Sequence, residues 1–219
     1  MKNLLFYPVL LLGIFLFSCS DDDDSSSSPG GSQASGPKPT ITLNGSAQDT
    51  ISLNSQYTEL GATAKDIDGT DISSSVNING AVDPNKTGLY QLTYTVKGSN
   101  GVTSDPAQRD VLVKNDADYL EGTYVASHVC SATGVDTDDF QTSISSSTDV
   151  NNRIFFSKLN PINEEIEGDI SGVNIAIQTA FSGTNVQYSG NGVISNQDIT
   201  ISFNTDSSGY GSCTLTLPR

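Results

Sequence analysis

Tryptophan is absent from this 219-residue chain, histidine and methionine occur once each, and there are only three cysteines. These gaps remove most of the side chains commonly used as general bases, metal ligands or sugar-stacking platforms. Cationic residues are also scarce: ten Lys and Arg stand against 25 Asp and Glu, for a formal net charge of −15, and no Lys/Arg cluster occurs. Without a basic footprint there is nothing to grip phosphate, so neither nucleic acid nor an anionic membrane surface is an expected partner. Hydrophobic residues make up 35% of the chain, too few for a polytopic membrane protein, while the apolar-plus-glycine content is too high for a wholly disordered one.

The one long apolar run is at the start. Met1 to Ser18 has an n-region carrying Lys2, followed by Leu4 to Phe17, broken only by Pro8 and Gly13. It is too short, and too abruptly followed by charge, for a stop-transfer helix, so it reads as a signal peptide. Leu16-Phe17-Ser18-Cys19 resembles the lipobox of bacterial lipoproteins, which implies cleavage before Cys19 and acylation of that residue. An ordinary secretory signal is the alternative. Several acyl chains on Cys19 would tie the protein to the outer membrane, at about 0.8 kcal/mol per buried methylene.

Asp21, Asp22, Asp23 and Asp24 follow immediately. Four acids beside a bilayer gain nothing from packing and are repelled by anionic lipid. Their placement resembles the acidic export signal of Bacteroidota lipoproteins, which implies display on the cell surface. A solvated spacer facing the periplasm is the plainer reading. Ser25 to Lys38, rich in Ser, Gly and Pro, reads as a flexible tether.

From Pro39 the texture changes to short β-branched stretches punctuated by Gly, Asn, Asp and Ser, with no sustained helical period, so the rest reads as all-β. The polar stretch Lys114 to Asp118 suggests a boundary, giving modules at 39–115 and 119–219 behind a 1–18 signal and a 19–38 tether. The first has strand patterns at Thr40–Leu43, Thr50–Leu53, Ala62–Lys65, Val76–Asn79, Leu89–Val96 and Gln108–Val113. Tyr90, Leu92, Tyr94 and Val96 alternate with Gln91, Thr93 and Thr95, so one face is buried and the other wet. Short strands separated by turns suggest a β-sandwich.

The motifs Tyr57-Thr-Glu-Leu-Gly61, Ala64-Lys-Asp66-Ile-Asp68-Gly69, Gly88-Leu-Tyr90 and Leu92-Thr-Tyr94-Thr-Val96 resemble the bacterial immunoglobulin-like domain named after an insecticidal crystal protein. That resemblance implies an Ig-like sandwich used as a spacer or adhesive module, without catalysis. Asp66, Asp68 and Asp71 are a candidate Ca²⁺ loop. Gly falls at the fourth position and Asn77 at the twelfth, which fails the EF-hand template, and a plain turn is preferred. Asp49-Thr50-Ile51 looks like a Bacteroidota O-glycosylation signal, which would make Thr50 the acceptor.

The second module shows eight strand patterns, Gly122–Val129, Gln141–Ser145, Arg153–Leu159, Glu165–Ile170, Asn174–Phe181, Gln187–Ile194, Asp198–Phe203 and Ser212–Leu217, which suit an up-and-down barrel or a flattened sandwich. First and last strands are neighbours in a closed meander, so Cys130 and Cys213 are expected to form a disulfide. The competing readings are a reactive thiol and a dyad of Cys130 with His128, against which a semi-buried or edge structural His is preferred. The sequence Gly122-Thr-Tyr124, Ser189-Gly190-Asn-Gly192, Ile199-Thr-Ile201 and Ser212-Cys213 resembles the small lipocalin-like domains that end many Bacteroidota lipoproteins. Asp136, Asp138, Asp139, Glu164, Glu165, Glu167 and Asp169 could offer carboxylate pairs, but those on the wet strand face read better as solubility and edge protection.

Three functions remain open. A non-catalytic surface module that binds a glycan, a protein or a small apolar ligand leads, with Tyr57, Tyr119, Tyr188 and Tyr210 as candidate stacking groups. A structural spacer in an envelope complex is second. An enzyme is last, because no Gly-x-Ser-x-Gly or comparable constellation occurs, and no cofactor is expected.

Overall fold

Among the residues it describes, the computed structural model has fourteen β-strands and two single turns of 3₁₀ helix. It describes residues 36–131, 139–159, 165–181, 187–205 and 211–219, among which no α-helix occurs. Cys19, Asp21 to Asp24, Asp136, Asp138, Glu164, Tyr210 and the Tyr188 side chain lie outside the described residues.

The first six strands are β1 (Thr40–Leu43), β2 (Gln48–Ser52), β3 (Ala62–Lys65), β4 (Asn77–Asn79), β5 (Gly88–Thr95) and β6 (Ala107–Lys114). They form a two-stranded sheet, β1-β3, and a four-stranded sheet in the order β2-β6-β5-β4. β2 runs parallel to β6 and the other pairs are antiparallel. Strict alternation on β5 and β6 turns Leu92, Tyr94, Val111 and Val113 inward, where they join Leu53, Ala64, Val96 and Val102 in the core.

The remaining strands are β7 (Gly122–Cys130), β8 (Phe140–Ser146), β9 (Arg153–Phe156), β10 (Ile166–Ser171), β11 (Asn174–Phe181), β12 (Gln187–Ser195), β13 (Asp198–Thr205) and β14 (Ser212–Leu217). Each pairs antiparallel with its sequence neighbours, and β14 returns to β7, so the meander closes into an eight-stranded up-and-down barrel instead of a flattened sandwich. Interior positions carry Tyr124, Ala126, Ile144, Ile154, Phe156, Ile175, Ile199, Ile201, Phe203, Leu215 and Leu217, all buried in one cluster. Gly190 shows why small residues interrupt this pattern. A Cβ there would lie 2.3 Å from the Ser202 carbonyl oxygen and 2.7 Å from the Phe203 Cα, so the two strands approach closely only because none is present.

Cys130 and Cys213 are register partners across the closing seam, and a disulfide joins them with their Cα atoms 4.1 Å apart. The flanking pair is tied by the Ser131 N–H donating to the Ser212 carbonyl at 2.9 Å, which leaves the cysteines as the narrow pair of the ladder, where side chains meet.

The polar segment after β6 is not solvated. Asn115 is 1% exposed, and Ala117 and Leu120, the latter in the 3₁₀ turn Asp118–Leu120, enter the barrel core. The Asn115 Nδ2 donates to the carbonyls of Ser147, Val150 and Arg153 at 2.9, 3.0 and 3.2 Å, while its Oδ1 accepts from the N–H groups of Ala117 and Asn152 at 3.0 and 2.9 Å. Around it, Asn151 exchanges hydrogen bonds with Asp116, Ser52 donates to Asp116, and Asn54 bonds both the Asp149 carbonyl and the Asn151 N–H. The β8–β9 connection is thereby fastened to the sheets of the first half. Asn54 and Asn152 both have left-handed backbones, φ 63° and 59°, which asparagine tolerates better than most residues.

Candidate binding face

Two features of the four-stranded sheet stand out, one on each face. On the inner face Arg109, only 2% exposed, is placed by β6 among valines. Each guanidinium nitrogen has an acceptor: Nε donates to the Ser46 carbonyl at 3.0 Å, the other two nitrogens reach the Asn44 carbonyl and the Glu59 carboxylate, and the Tyr94 ring lies 5.7 Å from its centre. Glu59 also accepts from the Tyr57 hydroxyl at 2.5 Å and the Gly61 N–H at 2.6 Å. Burial pushes the Glu59 carboxyl up, but the hydroxyls of Tyr57 and Tyr94, the Gly61 N–H and the Arg109 charge together hold it below its usual range. A buried charge bonded to the Ser46 and Asn44 carbonyls and to Glu59 is a fastening for the loops at 44–46 and 57–61.

The outer face differs. Leu89 on β5 and Leu112 on β6 are directly opposite each other, and Leu112 also pairs with Thr50 of β2. Both leucines face solvent, Leu89 at 69% and Leu112 at 39% exposure. Beside them Gln91 donates to Asp110 at 3.0 Å, and Gln108 donates to Gln91 at 3.3 Å. A groove of about 260 Å³ runs over this surface, lined by Gln48, Asp49, Thr50, Leu89, Asp110 and Leu112. The free edge of β2 is closed to strand addition at two donors. The Gln48 N–H is held by Ser46 Oγ at 3.1 Å and the Thr50 N–H by Asp49 Oδ1 at 2.8 Å.

The other candidate residues are dispersed. Asp66 accepts from the Ser99 and Ile67 N–H groups, Asp68 from Thr70 and Asp71 from Ser73, so each carboxylate braces a turn. Those bonds lower all three carboxyls, from Ser99 foremost at Asp66 and from Thr70 and Ser73 at the other two. They do not converge on a cation, and among the described residues no group of three His, Cys, Asp or Glu does so. Thr50 is exposed and lines the groove.

His128 corrects the expectation of an edge or semi-buried position. β7 turns it into the barrel interior at 2% exposure, where its ring meets Phe140 edge-on at 5.5 Å. Cys130 is consumed by the disulfide, so the Cys and His dyad is not formed. Edge protection also falls away for Glu167 and Asp169, since a closed barrel has no edge at β10. Both pair instead with Arg153, at 3.0 Å for Glu167 and at 2.7 and 3.0 Å for Asp169, and those bonds hold the Asp169 carboxyl low. Of the tyrosines weighed for stacking, Tyr57 is half-buried and bonded to Glu59, and Tyr119 is exposed away from the groove lining. Leu89 and Leu112 are not among the residues that motif reasoning singles out. Their signal is phase: each is apolar at a position where the alternation of its strand calls for a polar side chain.

Comparison with known proteins bears on this half of the chain. A family model described as bacterial surface protein, Ig-like domain, matches residues 41–113. Residues 41–113 are therefore an Ig-like domain. The match falls within the span of β1 to β6, so the groove lies on the Ig-like domain. Among solved structures the chain is similar to a lipoprotein from Bacteroides thetaiotaomicron, at 17% identity and a TM-score of 0.37, covering 83% of this chain and 100% of that one. It is also similar to a Clostridium perfringens structure of a carbohydrate-binding module in complex with GlcNAc and of INT domains, at 18% identity and a TM-score of 0.30. That alignment covers 77% of this chain and 30% of the other. No curated protein matches the chain.

Proposed function

We propose that this is a non-catalytic protein, lipid-anchored at Cys19 and displayed on the outer membrane surface, which binds a ligand through the outer sheet face of its Ig-like domain. The carrying observation is the exposed Leu89 and Leu112 pair at the base of a polar-rimmed groove. Adjacent large apolar side chains on a wet sheet face cost solubility, and such patches characteristically mark interaction sites. The surface-protein family of residues 41–113, the lipobox-like sequence ending at Cys19 and the acids Asp21 to Asp24 support the location. The absence of chemistry is supported by the use of His128 and Cys130 as barrel interior and by carboxylates that brace turns or pair with Arg153.

A second reading, a rigid spacer in an envelope complex, is favoured by the asparagine junction, which makes the two halves one body. The test is a panel of oligosaccharides, peptides and fatty acids titrated into full chain in mild detergent, with leucine methyl NMR as readout and a parallel screen for glycoside, ester and peptide hydrolysis. Binding that shifts the Leu89 and Leu112 methyls without turnover supports the proposal. Turnover overturns it, and a panel with no response at the groove moves the balance to the spacer.

A further inference from the structure

We infer that the groove takes a cationic segment of a partner protein, one presenting a Lys or Arg side chain next to an apolar one. This rests on the proposed binding role of the same face and names its ligand class. The base of the groove is the leucine pair, which buries an apolar side chain. The rim carries two carboxylates, Asp49 and Asp110, with Gln48 and Thr50, and no Lys or Arg is among the lining residues. Asp49 Oδ1 and Asp110 Oδ1 already accept hydrogen bonds from the Thr50 N–H and from Gln91, which holds both carboxylates in place beside the leucines. The strand register sets Gln48 opposite Asp110 and Thr50 opposite Leu112, while Asp49 pairs with the buried Val111, so Asp110 is the carboxylate on the leucine face and Asp49 meets the groove at the β2 edge, where its Oδ1 holds the Thr50 N–H.

Charge decides among the occupants. A second copy of the chain would bring another net −15 to an acidic rim, and the chain's own N-terminal segment carries Asp21 to Asp24. A neutral glycan gains nothing from the carboxylate charges and finds no aromatic ring among the lining residues to stack on. A basic and apolar peptide satisfies both halves of the groove. It is read through side chains, since the β2 edge donors at Gln48 and Thr50 are already engaged by Ser46 and Asp49.

The experiment titrates full chain in mild detergent against a fluorescent capped hexapeptide Ser-Lys-Leu-Leu-Lys-Ser, with glutamate and glutamine counterparts of the same sequence. The expected order is lysine, then glutamine, then glutamate, with the lysine peptide weakening as salt rises. Leu89→Ser with Leu112→Ser should lower its affinity at least about tenfold, the effect of withdrawing two leucines from a buried contact. Asp49→Asn with Asp110→Asn should flatten the salt dependence, while Glu165→Gln with Asp139→Asn, which removes as much charge from the barrel, should change affinity less than about twofold. Equal loss in the barrel variant overturns the inference, because attraction to the net charge would then explain the binding. If the peptides fail to bind but an oligosaccharide shifts the Leu89 and Leu112 methyls, the cationic class is wrong and the binding face stands. If nothing shifts them, both fall.

Discussion

Replacing Asn115 by alanine removes the centre of the junction between the Ig-like domain and the barrel. Five contacts are lost, three donated to carbonyls of the β8–β9 region and two accepted from N–H groups. A net hydrogen bond contributes about 1 kcal/mol, and an amide with two hydrogens shares three acceptors, so roughly four full bonds are at stake. Water entering the partly buried side of the site would recover some of that. The expected cost is therefore about 3 kcal/mol, or roughly 6–12 °C in Tm for a folded chain of this size. Asn115→Asp should cost more than alanine, since it sets a carboxylate against three carbonyl oxygens at a buried position. The assay is urea unfolding followed by hydrogen exchange mass spectrometry, which reads the two halves separately. In the native chain both should lose protection at one midpoint, and in Asn115→Ala the midpoints should fall and part. A loss below about 0.5 kcal/mol, or two midpoints already separate in the native chain, would refute the view that this junction makes the halves one cooperative body.

Three further predictions concern stability. Cys130→Ala with Cys213→Ala opens a cross-link 83 residues apart, so chain-entropy reasoning gives a loss of about 4.5 kcal/mol; guanidinium midpoints showing less than about 1 kcal/mol would contradict it. Gln197→Gly should stabilise the β12–β13 hairpin by about 0.5–1 kcal/mol in the same assay, because Asn196 and Gln197 both have positive φ, 52° and 75°, and a glycine relieves the second without strain. Acid should destabilise the chain, because the carboxyls of Glu59, Asp116 and Asp169 are all held lower in the fold than when unfolded. Their contribution is complete above their ordinary values of 4.5 and 3.8 and is lost as pH falls through the lower folded values. Urea midpoints should drop between about pH 5 and pH 2, and Asp169→Asn should make that decline shallower.

Strand positions are legible in the sequence because burial imposes a period of two. Ile199, Ile201 and Phe203 against Thr200 and Ser202 leave one arrangement, and the barrel's β11 and β14 begin and end where the pattern does. Eight such strands in meander order suit a barrel or a flattened sandwich alike, and it is the pairing of β14 with β7 that closes the barrel and brings Cys130 to Cys213, the disulfide expected for a closed meander. The junction is not legible. A run such as Lys114-Asn115-Asp116-Ala117-Asp118 looks the same whether it is bathed in water or bonded to a loop 32 to 38 residues away. Arg109 is hidden for a similar reason, because its partner Glu59 is 50 residues upstream. The candidate face was within reach: Leu89 breaks the phase set by Gln91 and Thr93, and Leu112 breaks that of Val111 and Val113. The sheet order that sets them together with Thr50, including a parallel pair, is a long-range fact that no local pattern carries.

A ligand-covered face on the outside of the cell should be visible to cysteine labelling. A single cysteine placed at Leu89, and in a second variant at Val193 on the barrel surface, is treated on intact cells and on purified chain with a membrane-impermeant maleimide. The native cysteine pair 130–213 is oxidised and does not react, and the parent chain without the added cysteine, labelled in parallel, reads any background from Cys19. Exposures of 69% and 48% predict that both positions label in the purified chain. On intact cells position 193 should label fully while position 89 is protected by its ligand. Equal labelling at both positions would contradict an occupied binding face, and labelling at neither would contradict display on the cell surface.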